Sequence, residues 1–587
     1  ALNGALNNTA IGSYVLSDLT TGDSNTALGY AAGNSLTTGH SNVLIGRGAG
    51  LLGTDLAQSV IIGMMAGDAI NTNNSQGSIL IGYQAGTTQT GGVNTFIGYD
   101  SGRYNKAGTY NTFVGYEAGT YATGSYNTFM GYQAGRGSSS VPYASAGNNT
   151  AIGYKAFYEA TTGGYNAILG QEAGEKITTG ESNTLFGYRA GRHITTGGSN
   201  IVIGSEALRD ENVSSVVAIG SRAGLYNSGN DNVYLGDQAG RNSGAGTGQV
   251  FLGHDAGYAD TASGDIAIGE SSLYQGPTGG GNYAIGRYSM MDANAGSTSL
   301  SSNSNIAIGQ SAMGGTWADA ASNYNIAIGH LSMDGALDGA SNNIAIGYQV
   351  GSALTTADHN VMIGIQAGEN TTTGGYSVII GKDAGRYHYT ANQNVLIGYS
   401  AGEYIGQGNT GAQHSVVIGV TAGKYATGSY NTFVGSAAGQ GGTTGAPYSS
   451  GQNNTAVGYA ALDAFTTGDA NVAVGPNALN NLNTGYRNIA IGDRAGQGIT
   501  SGASGVYIGY LAGYGGNQGG NVAIGSEALF TANGNSNVAV GMQAGRYTTA
   551  NDGVWIGVGA GSTGAGGGQS VIIGHYAGRY MVGSKVV

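Results

Sequence analysis

The amino-acid sequence predicts an all-β parallel β-solenoid (β-roll), a stack of about 33 short coils with a commonest period of 17 residues. Three observations predict this fold. A glycine-terminated apolar triplet recurs along the whole chain, glycine supplies 114 of the 587 residues, and proline supplies only 4. A short fixed period is typical of solenoids, in which each repeat packs only against its neighbours. Collagen is excluded because it needs proline together with glycine at every third position.

The repeat is aligned on the glycine that follows the triplet, with the consensus N-[TVI]-[AFL]-[ILV]-G-[Y/x]-x-A-[GL]. Triplets rich in β-branched residues and bounded by Asn and Gly predict strands too short to be helices. A bend is expected at the A-G pair, followed by a second extended piece and an outer turn at T-T-G. The aligned glycines interpreted as structural repeat positions include Gly12, Gly29, Gly46, Gly63, Gly98 and Gly115.

Asparagine recurs four residues before the aligned glycine in roughly two-thirds of the copies. Stacked in register, these amides are expected to form a ladder in which each bonds the coils above and below. A local Asx turn that opens the strand is an equally good interpretation of the same residues. The candidate ladder residues are Asn8, Asn25, Asn42, Asn94 and Asn111.

All three triplet positions are apolar, as in Val378-Ile379-Ile380. Successive side chains of a strand point to opposite faces, so a strand that is apolar throughout is expected to be buried on both faces. One face fills the interior of the coil, and the other needs a partner surface. The sequence therefore predicts a homo-oligomer, a trimer around a common axis, with end-to-end filaments as a further expectation. At about 4.8 Å per coil, the rod would be roughly 160 Å long.

Charge and composition exclude several classes of function. The formal net charge is −12 with only 20 scattered basic residues, so nucleic-acid binding is not expected. The longest apolar runs are too short to span a membrane as a helix. The absence of cysteine fits a secreted fibre. We expect one continuous repeat array over residues 1–587, part of a longer chain whose export signal and anchor lie outside this segment, at a cell or virion surface.

No catalytic, metal or cofactor site is predicted, because the chain repeats every feature and the eight histidines are dispersed among the coils. Acidic pairs such as Glu172 with Glu175, or Asp210 with Glu211, are considered for glycoside hydrolysis or calcium binding. Glycoside hydrolysis needs two carboxyl groups at a fixed separation. The glycine-rich nonapeptide that builds calcium-binding rolls is absent. The expectation is that the chain is not an enzyme.

Tyrosine follows the aligned glycine in about a third of the copies and would form an aromatic stripe on stacked coils. The candidate stripe residues are Tyr83, Tyr99, Tyr116 and Tyr132. A second set follows the A-G pair and includes Tyr121, Tyr404 and Tyr425. Packing between coils is one interpretation, and a surface for sugars or neighbouring fibres is the other.

A longer duplication is also present. The same nine residues, YATGSYNTF, occupy Tyr121–Phe129 and Tyr425–Phe433, 304 positions apart. Each copy is followed by a long insertion that contains a Pro-Tyr pair, starting at Pro142 and at Pro447. This pattern indicates duplication of a block of coils and marks no domain boundary.

Segments such as Asn471–Gly475 and Asn521–Gly525 match the unit S/N-x-A-[IV]-G. This motif resembles the head repeats of trimeric autotransporter adhesins of the YadA type, although the period is longer here. The resemblance implies a left-handed trimeric β-roll that binds a cell-surface receptor or glycan. The repeats are also similar to repeat regions of phage tail-fibre-type proteins. The predicted function is an extracellular fibre or adhesin shaft, with a phage tail fibre, an ice-binding solenoid and a polysaccharide depolymerase as alternatives.

Overall fold

A computed structural model describes residues 4–70, 76–140, 143–294, 301–407, 411–442, 448–563 and 568–581. The described residues form an all-β parallel solenoid without any helix, which confirms the predicted fold class. The chain consists of two compact units, Ala1–Gly281 (unit 1) and Asn282–Val587 (unit 2). Pro142 and Pro447 lie outside the described residues.

The described strands are three residues long and occur once in each coil. In unit 1 they are Thr9–Ile11 (β1), Thr26–Leu28 (β2), Val43–Ile45 (β3), Val60–Ile62 (β4), Ile79–Ile81 (β5), Thr95–Ile97 (β6), Thr112–Val114 (β7), Thr128–Met130 (β8), Thr150–Ile152 (β9), Ala167–Leu169 (β10), Thr184–Phe186 (β11), Ile201–Ile203 (β12), Val217–Ile219 (β13), Val233–Leu235 (β14), Val250–Leu252 (β15) and Ile266–Ile268 (β16).

In unit 2 the strands are Tyr283–Ile285 (β17), Ile306–Ile308 (β18), Ile326–Ile328 (β19), Ile344–Ile346 (β20), Val361–Ile363 (β21), Val378–Ile380 (β22), Val395–Ile397 (β23), Val416–Ile418 (β24), Thr432–Val434 (β25), Thr455–Val457 (β26), Val472–Val474 (β27), Ile489–Ile491 (β28), Val506–Ile508 (β29), Val522–Ile524 (β30), Val538–Val540 (β31), Val554–Ile556 (β32) and Val571–Ile573 (β33).

Within each unit, consecutive strands pair in parallel and in register. The middle residues of β6 and β7, Phe96 and Phe113, face each other, and the same holds for Phe113 and Phe129 in β7 and β8. Their rings stack with centroids 4.7 and 4.9 Å apart. Because every coil keeps this register, one repeat position forms one column of side chains, and insertions lengthen the turns only.

The aligned position is glycine in each described coil, whereas the position four residues later is glycine in many coils and Leu, Phe or Met in others, such as Leu208 and Phe157. The aligned Gly98 has a φ of +139°, and a Cβ there would lie 2.2 Å from the carbonyl oxygen of Gly115 in the next coil. Gly102, four residues later, has a φ of +59°, and its Cβ would lie 2.5 Å from the ring of Phe96. At Gly98 both the backbone conformation and the close approach of the next coil exclude a side chain, and at Gly102 the ring of Phe96 occupies the space that a side chain would need.

The core of each coil consists of a few small columns. In the coil that contains Gly115, the buried side chains include Phe113, Ala118, Ala122 and Asn111. Asn111 and Phe113 lie four and two residues before the aligned glycine, and Ala118 and Ala122 lie three and seven residues after it. The interior is therefore narrow, and a large side chain in one column faces small ones in the others.

The expected second extended piece is not a strand. After the aligned glycine the chain forms turns, and outside β1–β33 the described residues show only isolated bridges, such as Ala122 with Ala144. The physical reason is a residue two positions after the aligned glycine that has a positive φ without being glycine, for example 49° at Asp100 and 51° at Glu117. This conformation folds the chain tightly and leaves no room for an extended segment.

Candidate functional site

The first candidate surface is the strand face, defined as the first and third residues of the strands. In β12, Ile201 and Ile203 are 43% and 36% exposed, whereas Val202 between them is buried in the core. The third residue of the described strands is Ile, Leu or Val, except for Met130 in β8 and Phe186 in β11. Neither the first nor the third position carries a charged residue in these strands. Each unit therefore exposes a long, uncharged and mostly apolar face, with threonine at the first position of some strands, and no other described residues of the unit cover it. Such faces mark interaction sites.

Beside the strand face lies the tyrosine row, which comprises Tyr83, Tyr99, Tyr116, Tyr132 and Tyr154. Successive rings are nearly parallel, with centroids 4.9, 5.0, 5.1 and 5.3 Å apart. The last four tyrosines remain 41–44% exposed. Because each interior ring is stacked on both sides, it offers solvent its edge and its hydroxyl group. The faces that a sugar would use for stacking are covered inside this row.

The structure places the predicted asparagines in a ladder. The backbone N–H of Asn25 donates to Oδ1 of Asn8 at 2.8 Å, and Nδ2 of Asn42 donates to Oδ1 of Asn25 at 2.9 Å. Nδ2 of Asn42 also donates to the carbonyl oxygen of Leu56, 14 residues later in the next coil. Each amide therefore links neighbouring coils in both directions.

Further along the chain, the ladder includes other residue types. The backbone N–H of Asn94 donates to Oγ of Ser78 at 3.3 Å, and that of Asn111 donates to Oδ1 of Asn94 at 2.8 Å. Local turn contacts also occur, since Nδ2 of Asn166 donates to the carbonyl oxygen of Gly164. The ladder and the Asx-type contact thus coexist in the same residues.

A separate charged face is built from residues two and five positions after the aligned glycine. Nε of Arg189 lies 2.8 Å from Glu172, and Nε of Arg192 lies 2.6 Å from Glu175. Burial acts to raise the pKa of Glu172, but the hydrogen bond from Arg189 and the charge of Arg192 hold it below its usual value. A general acid needs a raised pKa, which the Glu172 carboxyl group does not have. Both members of the candidate acidic pair are engaged in ion pairs.

The buried ionisable side chains that were not predicted include Asp260 in unit 1 and His388 in unit 2. Both lie seven residues after an aligned glycine, where most coils place an apolar or small residue. Burial raises the pKa of Asp260 well above its usual value, and the neighbouring Asp265 raises it further. Burial lowers the pKa of His388 to about 4, so the ring is neutral at pH 7. Its Nε2 lies 3.3 Å from Oγ of Ser377.

Another surface lies on the side of the T-T-G turns. Three tyrosines there, Tyr104, Tyr121 and Tyr143, form the turn cluster of unit 1. Tyr104 and Tyr121 stack at 5.1 Å, and Tyr143 from the long insertion lies 5.5 Å from Tyr104 and 5.7 Å from Tyr121. The sequence indicates the tyrosines after the A-G pair but not that the insertion supplies a third ring. The signal that could have found it is the Pro-Tyr pair, which recurs in the second copy of the block.

Unit 2 contains the same arrangement, formed by Tyr404, Tyr425 and Tyr448. Tyr448 lies 5.1 Å from Tyr404 and 6.4 Å from Tyr425, and Tyr404 and Tyr425 stack at 5.4 Å. An insertion that differs in sequence thus delivers a tyrosine to the same place in both units.

The described residues contain no group of three or more His, Asp or Glu side chains placed to hold a metal ion. They also include no helix that is long and apolar enough to cross a membrane. No family model, curated protein or solved structure matches this chain. The fold and its surfaces are therefore the basis for any statement about function.

Proposed function

We propose that this chain is a non-catalytic structural shaft of an extracellular fibre, in which three copies pack around a common axis through their strand faces. The observation that carries the proposal is the uncharged, partly exposed apolar strand face of each unit. A soluble monomer rarely exposes a continuous apolar patch larger than a few hundred Å². Identical copies related by rotation offer identical faces, so a closed ring of three covers them all.

The distribution of charge supports the same packing. The ion pairs of unit 1, such as Glu117 with Arg136 and Glu206 with Arg209, lie on the charged face. With a net charge of −12 per chain, three chains would repel one another if acidic residues lay at the interface. The strand face carries none of these charges, so it is the face on which association costs least.

An attachment role is supported by the repetition. A rod with many equivalent coils presents the same weak contact many times, and simultaneous contacts bind much more tightly than one. The lack of cysteine suits an oxidising extracellular setting. Both the adhesin head repeats and the phage fibre repeats that the motif resembles would use such a shaft, at a cell surface or on a virion.

The proposal is tested by measuring the mass of the assembled protein by sedimentation and its shape by electron microscopy. We expect rods with three times the chain mass of 58.4 kDa. Replacing outward strand residues with a cation, as in Ile203→Lys together with Ile308→Lys, should reduce the mass to that of one chain, because a buried unpaired charge is costly. Thr179→Lys together with Thr356→Lys adds the same charge at two exposed turns and is the matched control.

A wild-type protein that sediments as a monomer would contradict the proposal. So would a lysine pair on the strand face that leaves the assembly intact. Equal dissociation by the control pair Thr179→Lys and Thr356→Lys would show that net charge, and not the strand face, controls association.

A further inference from the structure

A groove of about 660 Å³ lies on the turn side of unit 1, beside the turn cluster. Its volume is in the range of sites that hold small ligands. It crosses successive coils, because its walls come from the turns after β6, β7 and β9 and from the insertion after β8. Its lining residues are Lys106, Ala107, Thr123, Tyr143, Ser145, Thr161 and Thr162.

Tyr143 supplies the aromatic wall of this groove. It lies almost equally far from Tyr104 and Tyr121, at 5.5 and 5.7 Å, although those two rings are only 5.1 Å apart. Tyr143 therefore stands beside the stack and does not sit between its members. In the tyrosine row the interior rings are covered on both faces, whereas in this groove a tyrosine ring lines a cavity.

Hydroxyl groups and one cation complete the lining. Oγ1 of Thr123 donates to the carbonyl oxygen of Ala144 at 3.0 Å, which fixes the hydroxyl and leaves its oxygen able to accept a further bond. Ser145 and Thr162 are exposed at the rim. Nζ of Lys106 lies 5.7 Å from the Tyr143 ring centroid, and Lys106 forms no ion pair with the described residues.

We propose that this groove binds an acidic sugar residue, of the uronic acid class, in a surface polysaccharide. The apolar face of the sugar ring packs on Tyr143, the sugar hydroxyls bond to Thr123, Ser145 and Thr162, and the carboxylate pairs with Lys106. The inference rests on the proposed attachment function and deepens it, because it names the ligand class and the coils that hold it.

Unit 2 supplies a matched comparison within the same chain. Tyr448 stands beside its own tyrosine stack, and the groove hydroxyls have sequence counterparts at Thr427, Ser450 and Thr467. The residue 304 positions after Lys106 is Thr410, which lies outside the described residues and carries no charge. The acidic sugar is therefore assigned to unit 1 and not to unit 2.

The test uses the full chain with two probes, a galacturonic acid hexamer and its methyl ester, and measures binding by calorimetry and saturation-transfer NMR. We expect the acid to bind, the ester to bind at least about tenfold more weakly, and added salt to weaken only the acid. Lys106→Gln and Tyr143→Ala should each reduce affinity for the acid about tenfold or more. Tyr143→Phe keeps the ring and should retain binding.

Tyr448→Ala is the matched control, since it removes the same wall in unit 2 and should leave binding of the acid unchanged. The proposal is overturned if the acid does not bind, if the ester binds equally well, if Lys106→Gln has no effect, or if Tyr448→Ala weakens binding as much as Tyr143→Ala. The same samples are analysed by sedimentation. A trimer that binds no acid contradicts this inference alone, whereas a monomer contradicts the proposed shaft.

Discussion

The two copies of the nonapeptide YATGSYNTF, Tyr121–Phe129 in unit 1 and Tyr425–Phe433 in unit 2, have the same contacts on the turn side. The backbone N–H of Thr123 donates to Ala144 at 2.6 Å, and that of Thr427 donates to Ser449 at 2.7 Å. After each insertion the chain rejoins the next turn through a 3.1 Å bond, from Ala146 N to Thr161 O and from Gly451 N to Thr466 O.

On the strand side the two copies differ. Phe129 stacks on Phe113 of the preceding strand, whereas Phe433 lies in register with Val417 before it and Ala456 after it. The difference teaches that an aromatic column depends on what neighbouring coils supply and not on the nonapeptide itself. The strands pair in the same register with or without an aromatic column, so the backbone of the solenoid does not depend on such columns.

The largest expected effect is the same in both copies. Gly131→Val and Gly435→Val each place a side chain at a φ near +135° and bring its Cβ to 2.5 Å from the carbonyl oxygen of the next aligned glycine. We expect a loss on the order of 4 kcal/mol or more in the stability of the affected coil, measured by hydrogen exchange of its amides. Gly77→Ala is the control, because its φ is +68° but no atom lies within 4 Å of the added Cβ.

Truncation of the buried phenylalanines sharpens the comparison. Phe129→Ala and Phe433→Ala should each cost about 3–5 kcal/mol, with the loss at Phe129 larger by about 1 kcal/mol because it also loses a stacked partner. Urea denaturation followed by hydrogen exchange of the two coils measures the difference. Equal losses at both sites would show that the aromatic column of unit 1 adds nothing to burial.

The buried side chains of His388 and Asp260 should give the coils around them pH dependences of opposite sign. Burial lowers the pKa of His388 from 6.5 to about 4, so as the pH falls the unfolded chain takes up a proton at this ring before the folded chain does. The contribution of His388 to the free energy of unfolding is fully present above pH 6.5 and is lost as the pH falls toward 4, by about 3 kcal/mol in total. Urea denaturation from pH 7 to pH 4 should show this loss, and His388→Leu should remove it. An unchanged profile in His388→Leu would contradict the assignment.

In unit 1 the sign is reversed. The raised pKa of Asp260 means that its folded form holds a proton that the unfolded form has already released. The stability it contributes is present below the ordinary carboxyl pKa and is lost as the pH rises through the raised value. Asp260→Asn should therefore stabilise these coils at neutral pH, as seen in slower hydrogen exchange. Faster exchange in the variant would show that the carboxylate is well accommodated.

The smallest effect is expected at the exposed aromatic stack. Tyr116→Ala removes a ring that is 41% exposed and lies between Tyr99 and Tyr132. We expect a loss of about 0.5–1 kcal/mol, the usual contribution of a cross-strand aromatic pair. Val420→Ala, at the same coil position in unit 2, where no aromatic stack exists, should cost less in the same denaturation experiment. If Tyr116→Ala lowers the free energy of unfolding by more than Phe129→Ala and Phe433→Ala do, the tyrosine row contributes more to the stability of the fold than the buried phenylalanines.

Several features could be predicted from residues alone. The triplet and the glycine after it predict a three-residue strand, and the constant spacing predicts the register, because a solenoid repeats one local structure. Asn25 and Asn42 lie next to each other in successive coils for the same reason. Tyr143 could not be assigned to the turn cluster, since its position depends on how a long insertion folds back onto other coils.

The sequence by itself determined the parallel solenoid, its period, and the glycines at which only a residue without Cβ fits. The tertiary structure decided the backbone conformation after each aligned glycine, because the positive φ of residues such as Glu117 depends on the stacked turns around it and not on its own type. It also decided which tyrosine faces are covered and that Asp260 and His388 are buried. These depend on the side chains that neighbouring coils bring into contact, which a single repeat does not contain.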